Sequence, residues 1–229
     1  MSMLINANNV KYSHLDNSSF SMTIKKFNLN KGDRLLIHGE SGLGKSTFLN
    51  LISGAVQAKE GKIEILGSDI STMSSHNKDK FRGSHFGVVF QTFNLLPYLS
   101  VEKNILMGLV FSKRKKNKVS NINSEIKHLM KSLSLDYEEF KNRKSFELSI
   151  GQQQRVAVAR ALIGKPEIIL ADEPTSALDI NNQEIFLNLL FASLNQKEQG
   201  LIMVSHSKNI SKNFTDIKNI TDICELNNV

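Results

Sequence analysis

Residues Gly39–Thr47 read "GESGLGKST", and their reading decides the fold. They match G-x-x-x-x-G-K-[ST], a pattern that cradles phosphate when it follows a strand and opens a helix. Both flanks meet that condition. "RLLIHG" before it is a short apolar strand ending at a glycine. "KSTFLNLISGAV" overlapping its end is apolar at helical spacing, with Gly54 as a stop. Gly42 and Gly44 let the backbone bend close to phosphate oxygens. Successive N–H groups of the loop, from Gly39 and Ser41 to Thr47 at the helix start, then face the anion. In such a loop Lys45 reaches the β- and γ-phosphates, and the Ser46 hydroxyl is placed to ligate Mg²⁺.

A second segment completes the chemistry. "EIILADEP", Glu167–Pro174, is a buried strand from whose carboxyl end Asp172 emerges, placed to hold Mg²⁺ through water. Glu173 points differently and can polarise an attacking water. Two acids at a strand end would ordinarily be solvated; after a phosphate loop they read as hydrolytic.

"LINANNVKY", "SFSMTIKKFNL", "GKIEILG", "HFGVVFQ" and "LIMVSH" read as further strands, and "NQEIFLNLLFASLNQ" reads as a helix. Lys31-Gly32-Asp33 is a turn. Strands alternating with helices predict an α/β fold with a mostly parallel sheet, in one domain spanning residues 1–229. The texture changes between about Leu95 and Glu147. There "VEKNILMGLVF" and "SEIKHLMKSLSL" have helical periodicity, which predicts a helical subdomain inserted in the core. The basic run Lys113–Lys118, "KRKKNK", reads as a loose solvated loop, with contact to anionic lipid as the alternative.

The composition sets bounds. A 229-residue chain with 40% hydrophobic content can bury a core, and a net charge of +7 suits an anionic partner. One cysteine, Cys224, excludes an intrachain disulfide. "MSMLINANNV" lacks the features of a secretory signal, and no run approaches the ~20 apolar residues of a membrane helix. The close of the chain at "ITDICELNNV" leaves no appended regulatory domain expected.

Between the two motifs lies Glu147–Leu162, "ELSIGQQQRVAVARAL". With it, the ordered set resembles the ATP-binding subunits of ABC transporters, whose P-loop NTPase core also carries an antiparallel β subdomain. "LSIGQ" is similar to the family signature L-S-G-G-Q except at Ile150. "SALD" at Ser176–Asp179 looks like the D-loop, and "VSH" puts His206 at the switch position. "VVFQ" puts Gln91 at the Q-loop, and Tyr12 stands where the family carries an aromatic that stacks on adenine. "VVFQTFNLLPYLSVEKNIL" looks most like ATPases of lipoprotein-releasing and macrolide-export type.

The resemblance implies an ATPase with ATP and Mg²⁺ as cofactors. It works as a homodimer that sandwiches two ATP molecules head to tail and drives a separate integral membrane permease. It implies a cytoplasmic protein, peripheral on the inner face of the plasma membrane, exporting or extracting an amphipathic or lipid-linked substrate. No nucleic-acid partner is expected. By carry-over, Ser149, Gly151 and Gln152 contact the γ-phosphate of the opposite subunit's ATP, and Glu173 is the catalytic base. His206 contacts the γ-phosphate, Gln91 touches Mg²⁺ and reports to the permease, and Asp179 links the two sites.

Two other classes stay open: a soluble ABC-type ATPase of an assembly complex, such as iron–sulfur assembly, and a weakly hydrolysing nucleotide-binding module. Ser149 follows Gln91 by only 58 positions, which leaves no room for the long coiled coils of DNA-repair relatives. Ser207 stands where many relatives have aspartate. The open question is Ile150. Ser149 and Gln152 fit a capping box that aims a helix N-terminus at phosphate. Isoleucine is tolerable there if its φ is negative and disfavoured if φ is positive.

Overall fold

The computed structural model describes residues 2–13, 20–195, 197–207 and 210–228. Ser19, the first residue of an expected strand, and Gln196, the last of an expected helix, lie outside them. The chain divides into two compact units: the described residues up to Arg82 with those from 197 onward, and Gly83–Asn195.

The first unit begins with β1 (Met3–Ser13) and β2 (Phe20–Asn30), followed by β3 (Arg34–His38), α1 (Lys45–Ile52), β4 (Glu60–Ile65), β5 (Ser68–Asp69) and α2 (Ser75–His85). The second unit contains β6 (Phe86–Val89), α3 (Val101–Val110), α4 (Lys113–Asn117), α5 (Ile122–Ser132), α6 (Tyr137–Phe140), α7 (Ile150–Leu162), β7 (Ile168–Asp172) and α8 (Ile180–Ser193). The chain then returns to the first unit with β8 (Gly200–Ser205), β9 (Asp216–Asn219), α9 (Ile220–Ile223) and β10 (Cys224–Asn228).

In the first unit, an antiparallel sheet runs β10-β2-β1-β4-β5, and β3 lies parallel between β8 and β9. In the second, β6 and β7 pair in parallel. The fold is α/β with an antiparallel β subdomain, as expected. β3 and β8 are buried almost without interruption, the pattern of parallel strands covered on both faces, and their runs "LLI" and "LIMVS" show it in sequence. β1 alternates instead. Ile5 and Ala7 face the core, Asn9 takes a left-handed φ of 50°, and Val10 then faces inward. The register to β4 shifts at the same place, so a bulge re-phases the strand that carries Tyr12. Phe48 of α1 packs edge-on to Phe27 of β2, with centroids 5.0 Å apart.

In the second unit α7 is central. A Cβ on Gly108 of α3 would stand 2.2 Å from the Arg160 carbonyl oxygen, so only glycine lets α3 lie this close to α7. Ser100 caps α3 and Asn121 caps α5, each side chain accepting a backbone N–H three residues on.

The basic run is not a loose loop. It forms α4, capped by Ser112 and held by partners far away in sequence. Lys115 is only 4% exposed, and its Nζ donates to the Phe86 carbonyl at 2.7 Å. Glu167 accepts from His85 at 3.0 Å, Arg114 at 2.5 Å and Lys118 at 2.8 Å. Burial alone would raise the Glu167 pKa, but the bonds from His85, Lys118 and Arg114 hold it well below the usual carboxylate range.

Burial lowers the Lys115 pKa from 10.5 to about 8, against the pull of Glu167. Below that value both folded and unfolded states carry the proton, and the burial cost of the charge is fully present. Above it the folded state sheds its proton first, so the site's contribution to stability rises with pH up to about 10.5. Urea midpoints of wild type and Lys115→Met, compared from pH 7 to pH 10, should therefore shift in favour of wild type as pH rises. A constant difference across that range refutes a buried, charged Lys115.

Candidate nucleotide-binding and hydrolysis site

The loop Gly39–Thr47 leaves the carboxyl end of β3 and enters α1. Gly42 and Gly44 have φ of 86° and 81°, which non-glycine residues rarely adopt. Gly44 also has no room for a side chain: a Cβ there would meet Phe20 Cζ at 2.7 Å and Met22 Cε at 2.9 Å. Lys45 is 5% exposed, and its Nζ donates to the carbonyls of Gly39 and Glu40, each at 2.9 Å. Ser41, Gly42 and Ser46 are exposed, Thr47 is half-buried and Gly39 is buried.

Two further sequence-derived residues join the loop in this unit. The β3–β8 register pairs His38 with Ser205, so the loop and His206 leave adjacent parallel strands at the same level. That is where α/β sheets bind ligands. Tyr12 pairs with Met22 in the antiparallel register, so both side chains leave one face, and Met22 borders Gly44.

The second unit carries the other set. Val89 pairs with Ala171, so the chain leading to Gln91 and the acids Asp172 and Glu173 leaves β6 and β7 at a common end. Gln91 Nε2 donates to Ser176 Oγ at 3.4 Å. Glu173 has a φ of 44°, a left-handed conformation that needs support from its surroundings. Gln154 of α7 gives it by donating to the Pro174 carbonyl, and Gln183 of α8 donates to the carbonyls of Thr175 at 3.2 Å and Leu178 at 2.9 Å.

The capping box at α7 is present in full. Ser149 N donates to Gln152 Oε1 at 2.9 Å, and Gln152 N to Ser149 Oγ at 3.3 Å. Ile150 is the first residue of α7, is 55% exposed and lies outside the left-handed region. Its β-branched side chain is therefore tolerated. A Cβ on Gly151 would meet nothing within 4 Å. Ser149–Gln152 line an open cavity of about 510 Å³ together with Ala177, Leu178 and Asp179. Asp179 caps α8, accepting from Asn182 N at 3.0 Å, and that backbone bond lowers its pKa first. The sequence places Ser176 in a motif without giving it a role, because its partner Gln91 lies 85 residues away; Gln154 and Gln183 act by donating to backbone carbonyls, which leaves no side-chain pattern to read.

Known proteins are similar to this chain in sequence and fold. Residues 23–176 match the ABC transporter family. The chain is 38% identical over 193 residues to LolD, a lipoprotein-releasing system ATP-binding protein of Treponema denticola, covering 83% of this chain and 82% of that one. It is 40% identical over 195 residues to the macrolide export ATP-binding/permease protein MacB of Mannheimia succiniciproducens, covering 85% of this chain. It spans only 29% of that protein. The dimeric structure of MJ0796, a bacterial ABC transporter cassette, superposes with a TM-score of 0.77 at 32% identity over 94% of each chain. MJ0796 from Methanocaldococcus jannaschii is also solved as a post-hydrolysis dimer bound to ADP and Pi, with a TM-score of 0.76 at 32% identity over 94% of each chain.

Equilibrium urea unfolding separates cap from strain at the start of α7. Ser149→Ala should lower the unfolding free energy by about 1 kcal/mol. Ile150→Ala should leave it within about 0.5 kcal/mol. A gain beyond about 1 kcal/mol in Ile150→Ala would show that isoleucine is strained there after all.

Proposed function

The chain belongs to the ABC transporter family, and from that premise we propose that it is the ATP-hydrolysing motor subunit of a transporter whose membrane-crossing part is a separate permease. The observation that carries the reading is the Gly39–Thr47 loop at the end of β3, with His206 leaving the adjacent β8 at the same level. Lys45 already holds two oxygens, those of Gly39 and Glu40; phosphate oxygens replace them when ATP binds. Tyr12 stacks on the adenine, and the N–H groups from Gly39 through Ser41, Gly42 and Gly44 to Thr47 hold the phosphates.

The hydroxyl of Ser46, the amide of Gln91 and the carboxylate of Asp172 are hard oxygen donors, few in number, which suits a Mg²⁺ that keeps several waters. When bound, Mg²⁺ neutralises charge on the β- and γ-phosphates. Glu173 accepts the proton of the attacking water, and His206 positions the γ-phosphate. Ser149, Gly151 and Gln152 present the N-terminus of α7 to the ATP of a second copy, so nucleotide closes the dimer and hydrolysis reopens it. Ile150 leaves this function intact, because it stands on the helix without displacing Ser149 or Gly151.

Among the described residues no helix is long and apolar enough to cross a membrane. A relative named as the ATP-binding protein of a lipoprotein-releasing system supports a subunit that acts from the cytoplasmic face on an integral membrane partner, with residues 95–147 as its helical subdomain. Relatives named for lipoprotein release and macrolide export favour export or extraction of an amphipathic or lipid-linked substrate.

Glu173→Gln removes the base and should trap the closed state. Its mass in solution should be that of a monomer without nucleotide and of a dimer with ATP. A monomer at saturating ATP, in this variant and in Glu173→Gln combined with Ile150→Gly, would overturn the nucleotide-closed homodimer. Recovery of the dimer only with Ile150→Gly would instead convict Ile150.

A further inference from the structure

The segment after Gln91 contains two consecutive residues in the left-handed region, Phe93 with φ 58° and Asn94 with φ 48°. Neither is glycine: phenylalanine is strained there, and asparagine, though it enters the region more readily, still does so less easily than glycine, so the turn needs outside support. Both of their carbonyl oxygens accept from one side chain: Arg160 Nη1 donates to Asn94 O at 2.6 Å, and Arg160 Nη2 donates to Phe93 O. We propose that Arg160 is a positioning residue, a clamp that fixes the Gln91 segment to the signature helix α7 so that the two move as one. The inference rests on the roles assigned above to Gln91 and to Ser149–Gln152.

The surroundings make the clamp specific. Local bonds shape the turn: Phe93 N donates to Phe90 O at 3.0 Å, Asn94 N to Thr92 O at 2.7 Å, and Thr92 Oγ1 to Asn94 Oδ1 at 2.8 Å. They give the bend but do not tie it to another element. Downstream, the chain is staked separately. The buried Asn104 amide donates to the carbonyls of Leu96, Leu99 and Ser100 while its Oδ1 accepts from Leu96 N at 2.8 Å. Among the described residues Arg160 supplies the side-chain hydrogen bonds from this turn to α7, and its own backbone oxygen is the atom against which Gly108 packs. The clamp is thus anchored where α7 cannot shift without moving α3.

Geometry also explains why the residue is arginine. Two carbonyls on successive residues call for a planar fork with two donors at a fixed spacing, which a lysine point charge does not provide. Burial lowers the Arg160 pKa, but a guanidinium keeps its charge across the working range. α7 is a continuous helix from Ile150 to Leu162, so Arg160 stands about 15 Å along the same rod from the signature. A shift of Gln91 on gaining or losing its ligand is passed through the Phe93–Asn94 turn to α7, and from there to Ser149–Gln152.

The test uses the full chain in four forms: wild type, Arg160→Lys, Asn94→Gly and the double variant. Without nucleotide, hydrogen exchange of peptides covering residues 91–96 should speed up about tenfold in Arg160→Lys, with the rest of the chain and the melting temperature little changed. The kcat for ATP should fall about tenfold with KM within about a factor of two. Adding Asn94→Gly should restore slow exchange and most of kcat, because glycine holds the left-handed turn without the clamp. Unchanged exchange in Arg160→Lys overturns the proposal. So does faster exchange across the whole chain with a matching drop in melting temperature, or a double variant no better than Arg160→Lys. The exchange arm needs no turnover, so it judges the clamp even if the isolated wild type hydrolyses nothing, a result that would count against the motor reading alone.

Discussion

A buried ammonium must have oxygen partners, and at Lys45 that requirement shapes the phosphate loop. Leaving the charge unpaired in the interior would cost several kcal/mol. The chain meets the need by curling Gly39 and Glu40 back so that both carbonyls face Nζ at 2.9 Å. The curl is possible because Gly42 and Gly44 take left-handed conformations, and it is held in place because Gly44 packs beneath Phe20 and Met22 of β2. The curl of the loop therefore comes from the chain's own residues. On the function proposed above, phosphate oxygens would take the place of these two carbonyls around Lys45.

What the sequence made legible is what short-range chemistry encodes. The loop, the acids after β7 and the Ser149–Gln152 box each consist of residues within a few positions of one another, so spacing alone exposes them. β3 and β8 were legible because strands buried on both faces read as continuous apolar runs. α2, with "SHNKDKFRGSH", was not, since Lys78 alone of that helix is buried and no amphipathic stripe exists to be read. β9 reads "DIKN" and is held by backbone pairing to β3, which leaves no trace in side-chain pattern. The basic run failed for a third reason. Its charges look solvated until Glu167 and the Phe86 carbonyl, which lie 29 to 53 residues away, are known to be their partners. Ile150 shows the opposite case. Sequence posed the question of its φ, and only the backbone could answer it.

In the Gly83–Asn195 unit, the strained backbone near the candidate site is braced chiefly by α7, with α8 beside it. Glu173, Phe93 and Asn94 are left-handed without being glycine, and each lies just after a strand of the β6–β7 pair. Such residues persist only when neighbours over-determine them. Most of these neighbours are on α7: Gln154 holds the carbonyl of Pro174 beside Glu173, and Arg160 holds those of Phe93 and Asn94, while Gln183 of α8 adds bonds to the carbonyls of Thr175 and Leu178. Gln154 and Arg160 are six residues apart on one helix, and the N-cap of that helix is Ser149.

This arrangement has a consequence for how nucleotide chemistry becomes movement. A helix of 13 residues, packed against glycine at Gly108 and Gly87, is a poor spring and a good lever. If the acid after β7 and the amide after β6 were each held by their own local contacts, a change at one would relax where it arose. Because both are braced on α7, relaxation of either requires that the helix carrying the signature move or that a clamp break. The isoleucine in that signature then matters less than its departure from pattern suggests. The working parts of α7 are the cap at its start and the polar side chains along its length, and Ile150 touches neither the Ser149–Gln152 bonds nor the Arg160 fork.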